Sequence, residues 1–257
     1  MRAFILFACL SVSLAAAAEE FRYLIPLTGY LSSDDGTYYY AGTVVQNLSS
    51  HPATVQATDV YPLNGGKPCA ASEPFTVPPQ GRVTIGWGAC FASVSSVVIQ
   101  SDAKLSVRTE IDIHKTLVSG WDKQLIDAST EWIPAGVPAV SEAIIRDDGP
   151  RKANLLVINP SDQTLTMTVE MTRPEFDLSS ATTIEVPAKS SRLVNLEEIR
   201  NPSPPPFISS VDGRHLVRLT GSGPWQGGVS SVFKGPSMYL PAMALETSTA
   251  TAVRGPE

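Results

Sequence analysis

The sequence predicts an all-β fold in which two tandem β-sandwich domains follow a cleaved signal peptide. Three observations support this prediction: short runs of alternating apolar and polar residues, frequent proline and glycine between those runs, and a pattern that occurs twice. The chain has 21 prolines and 18 glycines among its 257 residues. Together with many Thr, Ser and Val residues, this composition favours short strands and turns over helices.

The first residues have the order of a secretory signal peptide. Arg2 provides a positive start, residues 3–14 form an apolar run, and four alanines ending at Ala18 suit cleavage after that residue. The run is shorter than the about 20 apolar residues that a membrane-spanning helix needs, and Glu19 and Glu20 follow the alanines at once. We therefore predict an extracytoplasmic protein, secreted, periplasmic or at the cell surface, with no transmembrane segment in the mature chain.

The charge of the mature chain argues against nucleic acid as a partner. Cleavage removes one basic residue, which leaves 18 basic and 25 acidic residues and a net charge of −7. Nucleic-acid phosphates require a basic protein face, so this balance is unfavourable.

Two cysteines, Cys69 and Cys90, remain after cleavage. In an oxidising compartment such a pair forms a disulfide more often than a metal or catalytic site. Segments 73–77 and 82–87 have the composition of two strands joined by a Pro-Pro-Gln-Gly turn. If these strands pair as a hairpin, with Val77 opposite Arg82, the continued register places the two cysteines opposite each other. We predict a disulfide between them, with two free thiols as the alternative.

The pattern that occurs twice predicts the domain organisation. A strand that ends at Asn47 is followed by a Thr- and Val-rich strand that reaches Pro62, and Asn159 and Pro174 enclose a matching segment of the same length. Each copy has Asp-Asp-Gly before it and a short strand ending in Val-Pro after it. Aliphatic-proline markers at Pro26, Pro134 and Pro241 are 108 and 107 residues apart, close to the size of one sandwich domain.

Seven short strands are predicted in the first copy, which indicates an immunoglobulin-like sandwich. The last is the most regular, because Leu105, Val107, Thr109, Ile111 and Ile113 alternate with polar residues. The predicted strands lie near residues 23–27, 38–46, 54–61, 73–77, 82–87, 97–100 and 105–113. The predicted organisation is a signal peptide over 1–18, a first sandwich over 19–117, a linker over 118–129, a second sandwich over 130–245 and a disordered tail over 246–257.

The order of an aliphatic-proline opening, a strand ending in Asn, a Thr- and Val-rich strand and a Val-Pro hairpin resembles exported bacterial proteins with tandem immunoglobulin-like repeats. The resemblance covers both copies, and its motifs are structural. It implies binding roles at a surface, in a matrix or in the periplasm, and it transfers no functional residue.

Catalytic motifs are weak in this sequence. The Gly-x-Ser-x-Gly motif of serine hydrolases does not occur, and His51, His114 and His215 have no ligand at the spacing of a metal motif. The Asp-Asp-Gly motifs could supply oxygen ligands to calcium, but a hairpin turn is the favoured interpretation because calcium needs six or more oxygens. We therefore predict no catalytic residue, no metal site and no cofactor.

Two polar or aromatic groups are candidates for a ligand or partner surface. Exposed aromatic rings can stack on sugars or anchor a protein partner, although packing within the sheet is the favoured interpretation. Polar residues at alternate positions share one face of a strand, most often as a solvated face. The candidate residues are Tyr38, Tyr39 and Tyr40, and Arg108, Glu110, Asp112 and His114.

These observations favour a non-catalytic structural or adhesion module that acts through contacts with an unidentified protein. The alternative is a module that binds a glycan or another small ligand through exposed aromatic rings, and a hydrolase ranks third. Residues 239–245 form either a strand intrinsic to the second sandwich or a strand that self-associates with another molecule.

Overall fold

A computed structural model of the chain describes residues 20–32, 37–66, 73–85, 95–115, 118–128, 131–145, 153–173, 178–196, 213–231, 238–241 and 243–244. The predicted all-β class is confirmed, and the strands pair antiparallel. In chain order the strands are β1 (Phe21–Ser32), β2 (Thr37–Asn47), β3 (Ala53–Pro62), β4 (Phe75–Val77), β5 (Arg82–Ile85), β6 (Ser95–Ser101), β7 (Leu105–Lys115), β8 (Val118–Asp127), β9 (Pro138–Ile145), β10 (Ala153–Asn159), β11 (Leu165–Arg173), β12 (Leu178–Val186), β13 (Ser190–Asn195), β14 (Gly213–Gly221), β15 (Gln226–Ser231), β16 (Met238–Pro241) and β17 (Met243–Ala244).

Strands β1–β8, here called the first unit, enclose one apolar core between two layers. One layer has the order β4-β3-β6-β1, and the other contains β5, β2, β7 and β8 in that order. Strand β1 belongs to both layers, because residues 21–28 pair with β6 and residues 29–32 pair with β2. A register shift between Ile25 and Thr28, followed by Gly29 at φ 108°, lets the strand cross from one layer to the other.

Strands β9–β17, here called the second unit, enclose a separate core. Their layers have the orders β12-β11-β14-β9-β17 and β13-β10-β15-β16. Strand for strand, β4-β3-β6-β1 corresponds to β12-β11-β14-β9, and β5-β2-β7-β8 corresponds to β13-β10-β15-β16.

Apolar side chains at alternate positions along the strands fill these cores. In β3, Ala53, Val55 and Ala57 are buried, whereas Thr54 and Gln56 between them are exposed. A fully buried valine side chain stabilises the fold by about 1.5–3 kcal/mol relative to an exposed one. The same pattern recurs through β11 of the second unit.

Asn47, at the end of β2, links two strands of the first unit through its side chain. Its side-chain nitrogen Nδ2 donates to the carbonyl of His51 at 2.7 Å and to the carbonyls of Val77 and Pro78 at 3.2 Å each. Its Oδ1 accepts from the backbone N–H of Ser49 at 2.9 Å. One buried amide therefore joins the end of β2 to the end of β4.

The predicted pairing of Val77 with Arg82 is wrong. Val77 in β4 pairs with Ala53 of β3, and Arg82 in β5 pairs with Gln46 of β2, so the two strands lie in different layers. Each strand thereby gains a neighbour in a sheet that covers the core, whereas an isolated two-stranded ribbon is only marginally stable.

The hairpin register that would place Cys69 opposite Cys90 therefore does not form between β4 and β5. Cys69 and Cys90 themselves lie outside the described residues. Their disulfide stays a prediction that rests on the expected oxidising compartment.

The predicted linker over 118–129 also needs correction, because most of it is β8. This strand pairs with β7 from Lys115 opposite Val118 to Arg108 opposite Asp127. Pairing with β8 satisfies the backbone groups on the outer side of β7. The first unit therefore extends beyond the boundary predicted at residue 117.

The aliphatic-proline markers do not occupy equivalent places. Ile25 lies within β1 and pairs with β6, whereas Ile133 makes an isolated bridge with Trp225 before β9 begins. Leu240 lies in β16 and pairs with Val229 of β15, and β17 pairs with β9. The described part of segment 239–245 is thus paired within its own chain, the first of the two predicted alternatives.

Several predicted features lie outside the described residues. They are the signal peptide over 1–18, both Asp-Asp-Gly motifs and the tail over 246–257. In the part of the chain that the structure describes, there is no helix long and apolar enough to cross a bilayer. The same part contains no group of three His, Cys, Asp or Glu residues arranged to hold a metal ion.

Candidate functional site at the junction of the two units

The two predicted groups of surface residues lie on neighbouring strands. In the register of β2 and β7, Tyr38 is aligned with His114, Tyr39 with Ile113 and Tyr40 with Asp112. The side chains of Tyr38, Tyr39, Asp112 and His114 are outside the described part of the structure, and Tyr40 is half-buried. The backbone register therefore places the tyrosines and the polar residues of β7 on neighbouring strands of the first unit.

Among the described polar residues of β7, Glu110 forms an ion pair with Arg82 of β5. Arg82 Nη2 lies 2.9 Å from Glu110 Oε1, and 60% and 32% of the two side chains are exposed. Arg108 is exposed on the same strand as Glu110. An ion pair in this setting contributes little stability, and it fits the solvated-face interpretation.

A second site, which the sequence did not predict, lies between the two units. Leu24, Tyr61 and Val98 from the first unit pack against Leu156 and Ile158 from the second. The partly buried side chains of Leu63, Trp132 and Leu193 pack around these five. We call this set of eight residues the junction cluster.

Strand β10 explains how one unit can supply both a core and a junction. Leu155 and Val157 point into the core of the second unit, whereas Leu156 and Ile158 belong to the junction cluster. All four side chains are at most 2% exposed. The sequence contains a signal for this second buried face of β10. Residues 155–158 form a continuous apolar run, which is typical of a strand buried on both faces, and do not alternate between apolar and polar.

Polar contacts tie the end of β3 to β13 across the junction. Ser191, which is 1% exposed, donates from Oγ to the carbonyl of Tyr61 at 3.1 Å. The backbone N–H of Asn64 donates to the carbonyl of Ser191 at 2.6 Å, and Leu63 forms a parallel bridge with Ser191. These bonds fix the relative register of the two units in addition to the apolar contacts.

Tyr61 and Trp132 form the aromatic part of the junction cluster. Their ring centroids lie 5.9 Å apart at an interplanar angle of 82°, an edge-to-face arrangement. Burial raises the pKa of the Tyr61 phenol above its ordinary value, the Asp59 carboxylate adds to this rise, and the Arg22 guanidinium acts in the opposite direction. Both charged residues come from the first unit.

A cleft of about 290 Å³ opens beside the junction cluster. The first unit contributes Arg22 and Asp59 to its lining, and the second contributes Glu131 and Lys189. Trp132, which is half-buried, presents its ring to the same cleft. The cleft thus combines two cationic groups, two carboxylates and an aromatic surface, which are the groups that recognise a small polar ligand.

The remaining tryptophans do not extend this aromatic surface. Trp225 is fully buried in the core of the second unit, and Trp87 and the side chain of Trp121 lie outside the described part of the structure. His215, one of the three histidines of the sequence, is buried in β14 at 6% exposure.

The sequence matches no protein-family model, and no curated protein matches it.

Proposed function

We propose that this protein is an exported, non-catalytic structural or adhesion module whose two tandem immunoglobulin-like sandwiches act as one rigid body through protein–protein contacts. The observation that carries this proposal is the junction cluster, since a buried apolar junction prevents the units from moving independently. Export is supported by the signal-peptide pattern of the first 18 residues.

The tandem arrangement is supported by the matched strand orders of the two units. It is also supported by two equivalent side-chain contacts. Thr54 donates its backbone N–H to Asp102 Oδ1 at 2.8 Å, and Thr166 donates its own to Ser222 Oγ at 3.0 Å. Each contact joins the start of one Thr-rich strand to the turn that follows the strand paired with it.

Rigidity of the two units relative to each other is supported by the apolar side chains that are buried between them. Units joined by a small polar interface move relative to each other by default, and a hydrophobic interface removes that freedom. Leu156 and Ile158 are almost fully buried although they point away from the core of their own unit. Each such side chain stabilises the junction by about 1.5–3 kcal/mol.

Rigidity is tested with the double variant Trp132→Ala/Leu193→Ala. The matched control is Leu48→Ala/Leu216→Ala, which shortens two apolar side chains that are 46% and 40% exposed. Small-angle X-ray scattering of the wild type and the control should fit one rigid arrangement, and the junction variant should populate several. An unchanged scattering curve for the junction variant would contradict the proposed role of the junction cluster.

Partner class is tested by screening the same three proteins, as mature chains, against arrays of matrix proteins, surface proteins and glycans. We expect selective binding to protein targets, weakened in the junction variant because both units present the contact surface together. Binding to glycans alone would contradict the proposal.

The cleft favours a second function, the binding of a small ligand that carries both charges or several hydroxyl groups. Its four charged residues come in equal numbers from the two units, so a ligand would bridge them. The variant Arg22→Ala separates the two functions. It should abolish ligand binding in the cleft, while protein binding that depends on rigidity should persist because the junction cluster is intact.

A further inference from the structure

We propose that the cleft beside the junction cluster binds an acidic sugar, a pyranose ring that carries one carboxylate and several hydroxyl groups. The inference rests on the second function proposed above, because it names the ligand class of the same cleft. The cleft has a volume of about 290 Å³, at the lower end of the range for ligand pockets. This size suits a single ring better than a longer chain.

The hydroxyl of Tyr61 is the observation that points to a ligand. Tyr61 lines the cleft and is 3% exposed. In the part of the chain that the structure describes, its carbonyl accepts from Ser191, and no residue hydrogen-bonds to its hydroxyl. Buried polar groups in proteins nearly always have a hydrogen-bond partner. The fold therefore leaves the Tyr61 hydroxyl as a donor for a ligand oxygen in the cleft.

Arg22 is a second unpaired donor of the cleft. It is exposed and forms no ion pair with any of the described residues. Burial raises the pKa of the Tyr61 phenol, Asp59 raises it further and Arg22 lowers it, so the guanidinium charge acts on the same hydroxyl. A guanidinium presents paired N–H groups that match the two oxygens of a carboxylate. Arg22 and Tyr61 together are suited to one ligand carboxylate.

The two carboxylates of the cleft favour hydroxyl groups on the rest of the ligand. Asp59 and Glu131 line the cleft, one from each unit. An ionised carboxylate only accepts hydrogen bonds and has room for several, of which Asp59 uses one from Thr58 at 3.1 Å. Their charges balance those of Arg22 and Lys189. A ligand with one negative charge therefore meets a lining without net charge, whereas a phosphate with about two negative charges is less favoured.

The indole of Trp132 supplies a flat apolar surface for the sugar ring. Trp132 is half-buried and lines the cleft. Its contact with Tyr61 is edge-to-face, with ring centroids 5.9 Å apart, and such a contact occupies at most one face of the indole. The remaining ring surface can pack against the C–H face of a pyranose. A small zwitterion such as serine has no ring for this surface, so the indole favours a sugar acid.

The test is a titration of the mature protein with glucuronate, followed by NMR spectroscopy. Glucose is the matched neutral sugar, and serine is the zwitterion. We expect saturable binding of glucuronate with a Kd at least about tenfold below that of glucose, because hydrogen bonds to a charged group are stronger than neutral ones. Methyl glucuronide, in which the anomeric oxygen is blocked, distinguishes the end of a glycan chain from a free sugar acid.

Two variants test the assigned donors. Tyr61→Phe removes the hydroxyl but keeps the ring in the junction cluster, and it should raise the Kd for glucuronate about two- to tenfold. Arg22→Met should raise it about tenfold or more, because it removes a charged donor. The control Arg218→Met removes an exposed arginine that lies 3.9 Å from Glu170 in the second unit, and it should bind like the wild type.

Four results would overturn the assignment: no saturable binding of glucuronate, equal affinity for glucose, tighter binding of serine, or unchanged binding in both Tyr61→Phe and Arg22→Met. Thermal unfolding and the scattering experiment establish that each variant keeps its fold and its junction. If the junction is rigid and glucuronate does not bind, the ligand class is wrong and the proposed structural module stands. If the junction variant gives an unchanged scattering curve while glucuronate binds, the reverse holds.

Discussion

Asn47 and Asn159 make the same set of hydrogen bonds at the same place in two different units. The Nδ2 of Asn159 donates to the carbonyls of Gln163, Val186 and Pro187 at 2.8, 3.1 and 3.0 Å. Its Oδ1 accepts from the backbone N–H of Ser161 at 3.0 Å, just as Asn47 accepts from Ser49 at 2.9 Å. Both asparagines are fully buried, so these bonds satisfy groups that water cannot reach.

Replacing Asn47 by alanine should lower the free energy of unfolding by about 2–4 kcal/mol, because several carbonyls and an N–H lose their partner in a buried place. Asn159→Ala should have a similar effect. Urea unfolding measures both. Gln46→Ala, which changes an exposed residue on the same strand as Asn47, is the control and should stay within about 0.5 kcal/mol of the wild type. If either asparagine variant lost less unfolding free energy than the control, the side-chain hydrogen bonds of Asn47 and Asn159 would not stabilise the two units.

Gly227→Ala should prevent stable folding of the second unit. A Cβ added at Gly227 would lie 2.0 Å from the backbone carbonyl oxygen of Leu156 on the neighbouring strand β10. Backbone in the middle of a sheet cannot move away without breaking its own hydrogen bonds. Gly223→Ala is the control, since its Cβ would meet Leu165 Cδ1 at 3.7 Å, an ordinary contact. Equal melting temperatures for the two variants would contradict this prediction.

Stability should fall at alkaline pH because of Tyr61. Its pKa is raised in the folded protein by burial, and the unfolded phenol has an ordinary pKa of about 10. Below that pH both states hold the proton and the contribution of Tyr61 is fully present. Above it the unfolded state loses the proton first, so the free energy of unfolding decreases as pH rises towards the folded pKa. Urea unfolding between neutral and alkaline pH should show a smaller decrease for Tyr61→Phe, and an identical decrease would rule out Tyr61 as a cause.

Glu110→Gln should change the free energy of unfolding by less than about 1 kcal/mol. Its partner Arg82 is more than half exposed, and solvent screens a pair of this kind. Urea unfolding at low and high salt should therefore give nearly the same difference between variant and wild type. A loss of several kcal/mol would show that the polar face of β7 is a built site rather than a solvated surface.

The candidate site was less predictable from the sequence than the strands were. The tyrosine and polar-strand surface could be proposed because alternation along one strand is local information. The junction cluster involves residues as far apart in the chain as Leu24 and Ile158, and no local spacing connects them. The apolar run in β10 indicated a second buried face, but it did not identify what covers that face.

The sequence by itself determined the all-β class, the approximate positions of the first seven strands and the recurring Asn and Val-Pro segments, because side-chain alternation and turn composition act over a few residues. Tertiary structure decided the partners. Strands β4 and β5 are adjacent in the chain but lie in different layers, because each pairs with an open strand edge and covers the core there. Strand β8 forms where a linker was predicted, because it pairs with backbone groups of β7 that would otherwise be unpaired. Pairing of distant segments depends on which edges and apolar faces the whole fold leaves available, and a chain read in order does not contain that information.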